Sequence, residues 1–168
     1  MSFVEKDKPR ELYAIYKGIK CRGDIRLVTG DDDIRRLCMI IGAIDDYSNE
    51  FAIMLCSNEV ECGADCDFVI EPHETGLPYK LIVETDLVGM VYRHQLGPRI
   101  GGVSGKIFQR LKPIHEGGRY AAGIPCRDAR DGRWQWKLDE LSELDKLTAQ
   151  FWRDWLEREG PYDMDDPQ

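Results

Sequence analysis

Apolar and polar positions change rhythm along this chain, and the rhythm marks out its elements. Pro9 to Lys20 is ambiguous: Leu12, Tyr13, Ile15, Tyr16 and Ile19 fit a short helix face or an irregular strand, and we read a strand-like lead-in. From Gly23 the pattern is one of short strands. Gly23-Asp24-Ile25-Arg26-Leu27-Val28 opens the first, which ends at the polar, turn-prone Thr29-Gly30-Asp31-Asp32-Asp33. Ile34 to Ile44 is the second, and its nearly unbroken apolar stretch from Leu37 to Ile41 is that of a buried central strand. Glu50 to Glu61 is a third. A tight turn, Cys62-Gly63-Ala64-Asp65-Cys66, leads to a fourth at Asp67 to Ile70, and Tyr79 to Glu84 and Val88 to Tyr92 read as two more. Short strands with turn residues between them predict a small barrel or sandwich, and connections this brief favour antiparallel neighbours.

After Lys112 the pattern changes. Residues 113–137 read as a linker, with Pro113-Ile114-His115-Glu116-Gly117-Gly118 at its start and turn-rich residues from Gly123 to Gly132. Leu138, Leu141, Leu144, Leu147, Phe151, Trp152, Trp155 and Leu156 then recur at three- and four-residue steps, predicting one apolar face on a helix of about six turns. Gly160-Pro161 ends it. The expected organisation is a barrel domain over 1–112, the linker, and an amphipathic helix with an acidic tail over 138–168. The helix either folds back over its own barrel or docks into a second chain.

Charge narrows the range of functions. The net charge is −8, which argues against an obvious nucleic-acid binder. The excess is uneven: 15 Lys/Arg face 18 Asp/Glu in residues 1–112, and 8 face 13 in residues 113–168, so the first part retains the means for a local basic patch. No apolar run is long enough to cross a bilayer, and Met1 to Lys8 lacks the apolar core of an export signal, so a cytoplasmic protein that meets no membrane is expected. Six scattered cysteines fit that compartment, and Cys38 and Cys56, in apolar strands, read as buried thiols.

The most informative stretch is Thr75-Gly76-Leu77-Pro78-Tyr79-Lys80-Leu81-Ile82-Val83-Glu84-Thr85-Asp86-Leu87-Val88-Gly89-Met90-Val91-Tyr92-Arg93-His94-Gln95-Leu96, continuing as Gly97-Pro98-Arg99-Ile100-Gly101-Gly102-Val103-Ser104. It resembles the second half of MazF/PemK-type toxins, the mRNA interferases. Those carry a TGL loop, a strand, a short segment ending in a basic residue and leucine, and an IG.LS run into a helix. Earlier, Gly23 to Val28 looks like the family's opening GDI..V strand. Arg35-Arg36-Leu37 stands where an Arg-Pro pair enters the next strand, with Leu37 at the proline position. Met54-Leu55-Cys56-Ser57 stands at the P.TS strand end, with Cys56 where threonine is usual. The likeness covers about residues 20 to 112; the helical tail has no counterpart in it.

The resemblance implies a mainly β (α+β) fold, a small SH3-like antiparallel barrel shared with CcdB, here with the C-terminal amphipathic helix added. It implies metal-free, cofactor-free cleavage of single-stranded RNA, an antitoxin partner and a homodimer. Carried over by position, Arg36, Ser57 and Cys56 are the expected catalytic residues, and Arg35 and Arg26 the expected RNA-binding ones. A thiol at Cys56 is a poorer phosphate donor than a hydroxyl. The alternative is a catalytically inactive member of the fold that acts by protein–protein binding, since CcdB-type toxins bind a protein target on the same fold.

Other features have plain readings beside sharper ones. Asp31-Asp32-Asp33 next to Arg35-Arg36 is either a gated phosphate clamp or a solvated loop. Cys62-x3-Cys66 offers a zinc site with His73 or a redox pair across the turn, but the fourth ligand of a structural zinc site is not evident, and two cysteines flanking a turn by chance is the better reading. His73, His94 and His115 gain no catalytic assignment by themselves. Trp134, Trp136, Trp152 and Trp155 lie in the acidic part, which favours core or partner contact over base stacking. The family's antitoxins block the RNA groove with an acidic peptide, and the acidic C-terminal extension here is placed to imitate that blockade in cis.

Overall fold

A computed structural model describes residues 21–43, 49–64, 67–115 and 131–159. Six strands form one sheet: β1 (Asp24–Thr29), β2 (Arg35–Ala43), β3 (Glu50–Ser57), β4 (Asp67–Ile70), β5 (Leu81–Tyr92) and β6 (Leu96–Gly102), in the order β4-β5-β3-β2-β1-β6. Every pairing is antiparallel, as the short connections require. The expected barrel does not close, because β4 and β6 remain the two outer strands. The segments read as two strands at 79–84 and 88–92 are one twelve-residue strand, β5. Its register against β3 shifts between Met54 and Leu55, so that Leu55 pairs with Glu84 and Met54 with Val88. That irregularity is why an alternating pattern failed to join them in the sequence.

Besides a four-residue helical turn at Pro72–Thr75, two longer helices, α1 (Gly105–His115) and α2 (Gly132–Glu159), each cover one face of the sheet. Alternation along the strands sorts their side chains between two apolar clusters. Ile25, Met39, Met54, Cys56 and Val83 pack with Ile107 and Leu111 of α1. Val28, Cys38, Ile40, Phe51, Ile53, Leu55 and Val91 pack with Leu144 and Leu147 of α2. The loop Thr75-Gly76-Leu77 nests against β6: Leu77 N–H donates to Thr75 Oγ1 at 3.1 Å, and a Cβ on Gly101 would stand 2.8 Å from Thr75 O and 3.0 Å from Leu77 Cγ.

Of the two placements open to the C-terminal helix, the structure shows the first: α2 lies on its own sheet. It starts at Gly132 rather than Leu138, after Asp131, whose carboxylate accepts from Arg133 N–H at 3.0 Å in the manner of an N-cap. The stretch read as linker, 113–137, thus begins within α1 and runs into the first turns of α2; residues 116–130 lie outside the described residues, as do the lead-in before Cys21, Cys66 and Cys126. The single apolar face expected of this helix is divided. Leu144, Leu147 and Phe151 are buried, whereas Trp134, Leu138, Leu141, Trp152 and Leu156 face solvent.

Candidate active site

Arg36 is the second residue of β2 and pairs with Val28, a member of the α2-facing cluster, so its side chain points toward α2. On β3, Leu55 belongs to the same cluster, and Ser57, two residues on, shares its face. The pair Leu37 and Cys56 ties β2 to β3 one step from both, so Arg36 and Ser57 stand side by side at this end of the sheet. Cys56 faces the other way: its side chain is 1% exposed, packs in the α1-facing cluster, and has its thiol pushed well above the ordinary range by burial. Ser57 is buried, and its Oγ accepts from Glu59 N–H at 3.0 Å.

The remaining predicted residues spread outward. Arg26, opposite Cys38, lies on the α2-facing side but turns toward β6: it donates to Gly97 O and to Asp24 Oδ2, each at 3.2 Å. Arg35 is exposed and lies on the opposite face from Arg36. The Asp31-Asp32-Asp33 loop is tied to α2 through an Asp31–Arg153 ion pair and supplies no partner to Arg36 among the described contacts. Cys62 is a free thiol in a short 3-10 turn, and among the described residues no three His, Cys, Asp or Glu side chains converge as metal ligands. His94 stacks on Tyr92 with ring centroids 5.7 Å apart, beside an open recess of about 780 Å³ lined by Glu50, Gln150, Asp154 and Arg158. That recess meets β3 at Glu50, the opposite end from Ser57.

Residues absent from the sequence reading complete the site. Glu140 of α2 forms an ion pair with Arg36, whose side chain is 18% exposed. Burial alone would lower the Arg36 guanidinium, but the Glu140 hydrogen bond and charge, with Glu84 behind, raise it above its usual range. Glu84, fully buried on β5, accepts from Lys137 Nζ through Oε1 at 2.9 Å, and no donor among the described residues reaches its Oε2. Lys137 also reaches Asp67 at 2.5 Å and Asp86 at 3.2 Å. Burial raises the Glu84 carboxyl, and the adjacent Glu140 raises it further against the pull of Lys137, to about 9. Glu84 is therefore held toward its protonated form and hydrogen-bonds to Glu140, which pairs with Arg36.

The result is a chain of groups, Lys137–Glu84–Glu140–Arg36, carried by β5, α2 and β2. The sequence held a signal for part of it: Glu84 is a lone charge in the apolar run Leu81-Ile82-Val83-Glu84-Thr85, and such a residue needs a buried partner.

No known protein family's profile matches the chain, and no curated protein is found similar to it. Solved structures are similar in fold. The Mycobacterium tuberculosis toxin MazF-mt6 matches with a TM-score of 0.47 and 14% identity, over 56% of this chain and 93% of that one. An endoribonuclease from Mycobacterial species matches at 0.45 and 13%, over 65% and 96%. An endoribonuclease in complex with its cognate antitoxin, also mycobacterial, matches at 0.44 and 12%, over 65% and 98%. At this identity the likeness is one of fold, not of activity, and the TM-scores make it a loose one.

Proposed function

We propose that the protein is a MazF/PemK-like endoribonuclease that cuts single-stranded RNA without a metal, the ribose 2′-hydroxyl attacking the neighbouring phosphate. The observation that supports this most is the placement of Arg36 beside Ser57 on one sheet face, the combination the sequence resemblance implies. In such a reaction a bond forms between the 2′-oxygen and phosphorus while the bond to the 5′-oxygen breaks. One proton leaves the 2′-hydroxyl and one must reach the departing oxygen. Arg36, with its proton affinity raised, is suited to hold a phosphate oxygen through its planar fork rather than to transfer a proton. Ser57 supplies the hydroxyl donor, and Arg26, on the same face of the adjacent strand, is a further arginine for the RNA backbone. An antitoxin partner, a homodimer and a cytoplasmic setting belong to the same proposal.

A second reading, a protein-binding member of the fold without catalysis, is favoured by one observation: Arg36 already has a carboxylate partner and little exposure. Incubation with a long single-stranded RNA in EDTA separates the two. Discrete fragments ending in 2′,3′-cyclic phosphate are expected from the protein, with Arg36→Ala slower by about a hundredfold or more. Cleavage undiminished in Arg36→Ala would place the chemistry elsewhere, and no cleavage from either the protein or Glu140→Gln would leave the binding reading.

A further inference from the structure

The contacts of α2 differ between its two halves. Beyond residue 143 the helix is anchored by apolar burial. Leu144, Leu147 and Phe151 are its buried hydrophobic residues, and the helix comes so close to β5 that a Cβ on Gly89 would stand 2.6 Å from Thr148 Cγ2 and 2.7 Å from Leu144 Cδ1. Before residue 144, no described apolar side chain of the helix is buried. This half meets the sheet through charge: Arg133 donates to Gly63 O at 3.2 Å, Lys137 to Asp67, Glu84 and Asp86, and Glu140 pairs with Arg36.

We propose that Glu140 is an internal stand-in for phosphate: its carboxylate occupies Arg36 where a phosphate oxygen of the RNA would bind, and holds the site closed until a polyanion displaces it. The inference rests on the reading of Arg36 as the phosphate-binding residue. Carboxylate and phosphate offer a guanidinium the same pair of acceptors, so one replaces the other with no loss of geometry. The exchange also keeps Arg36 paired throughout, because the incoming anion restores the partner that Glu140 withdraws and the guanidinium is not left as an uncompensated buried charge.

Nor does release require α2 to leave the sheet. The apolar anchor at 144–151 holds the helix down, and Lys137 stays on Glu84, Asp67 and Asp86, so those acids keep a cation between them and an entering phosphate. In this proposal the Glu140 side chain swings off Arg36 while the helix stays in place. Specificity follows from the cost of that swing: a weak or isolated anion does not displace a carboxylate tethered to the same molecule, whereas a strand with phosphates to spare for Arg26 does.

The test measures binding and cleavage separately, with a labelled single-stranded RNA oligonucleotide as the probe. Glu140→Gln keeps the shape of the side chain and removes its charge, and should bind the probe about tenfold more tightly than the parent. Glu140→Asp, with a shorter arm and the charge retained, should fall between, and it decides the matter if melting shows Glu140→Gln to be unfolded. Adding Arg36→Ala to either variant should abolish the gain. Equal binding by parent and variants, with cleavage by the parent, would overturn the inference and leave the nuclease reading standing. Tighter binding by the variants without cleavage would support the inference and sink the nuclease reading. No binding by any of them would overturn both.

Discussion

Glu84 is fully buried in a largely apolar strand, and its protonation contributes to how the fold responds to pH. Its ordinary value is 4.5, and in the folded chain it is pushed up to about 9. The native state therefore holds this proton more tightly than the unfolded chain. The stability it contributes is fully present below 4.5 and is lost progressively as pH rises through about 9. Urea unfolding at about pH 5.5 and about pH 8.5 should show the parent weaker at the higher value, and Glu84→Gln, an isostere of the protonated acid, should flatten the difference. A parent no less stable at the higher pH would mean that Glu84 is ionised in the fold. The residue-level resemblance brought Arg36 and Ser57 to one face, yet it carried Cys56 along with them. Strand parity separates them: adjacent residues on β3 point to opposite layers, so a motif read as a string includes a neighbour that the fold turns away.

Among the elements, α2 was the least legible. Its leucines announced a helix, but their spacing assigned them to one face when they serve two. Leu144 and Leu147 go to the sheet, while Leu138, Leu141 and Leu156 go to solvent. Three- and four-residue steps sustained from Leu138 to Leu156 drift around the cylinder, and nothing in the steps says where the sheet will be. The helix start was missed because Trp134-Gln135-Trp136-Lys137 interrupts the leucine rhythm, although Asp131-Gly132 offered a capping signal. The strands were easier to see, since turn residues bound them and apolar content fills them. What joins α2 to the sheet is measurable. Gly89→Ala puts a methyl into Leu144 and Thr148, and should cost about 1–3 kcal/mol in urea unfolding through forced repacking. An unchanged midpoint would show that α2 is free to shift outward.

At the scale of the whole molecule, α2 is a structural layer as well as the carrier of Glu140. Removing everything after residue 115 would bare Phe51, Ile53, Leu55, Cys38 and Ile40, a contiguous apolar face that monomeric proteins rarely leave open. Such a chain should aggregate or bind a hydrophobic dye on size-exclusion chromatography; a soluble, dye-silent monomer would mean that the sheet is stable without its second layer. For the same reason truncation is a poor way to uncover Arg36, and single substitutions at Glu140 are the sharper tool. The sheet order has a consequence for how the protein is made. β1 pairs with β6 across 68 to 78 residues of sequence, and the layer over the central strands comes from a helix made after all six strands. Contacts so distant in sequence are slow to close, and the half-built sheet must wait with one face uncovered. Arg36 and Ser57 are made long before Glu140, so Arg36 meets its carboxylate partner only late in folding, and a molecule that has finished folding holds the two paired.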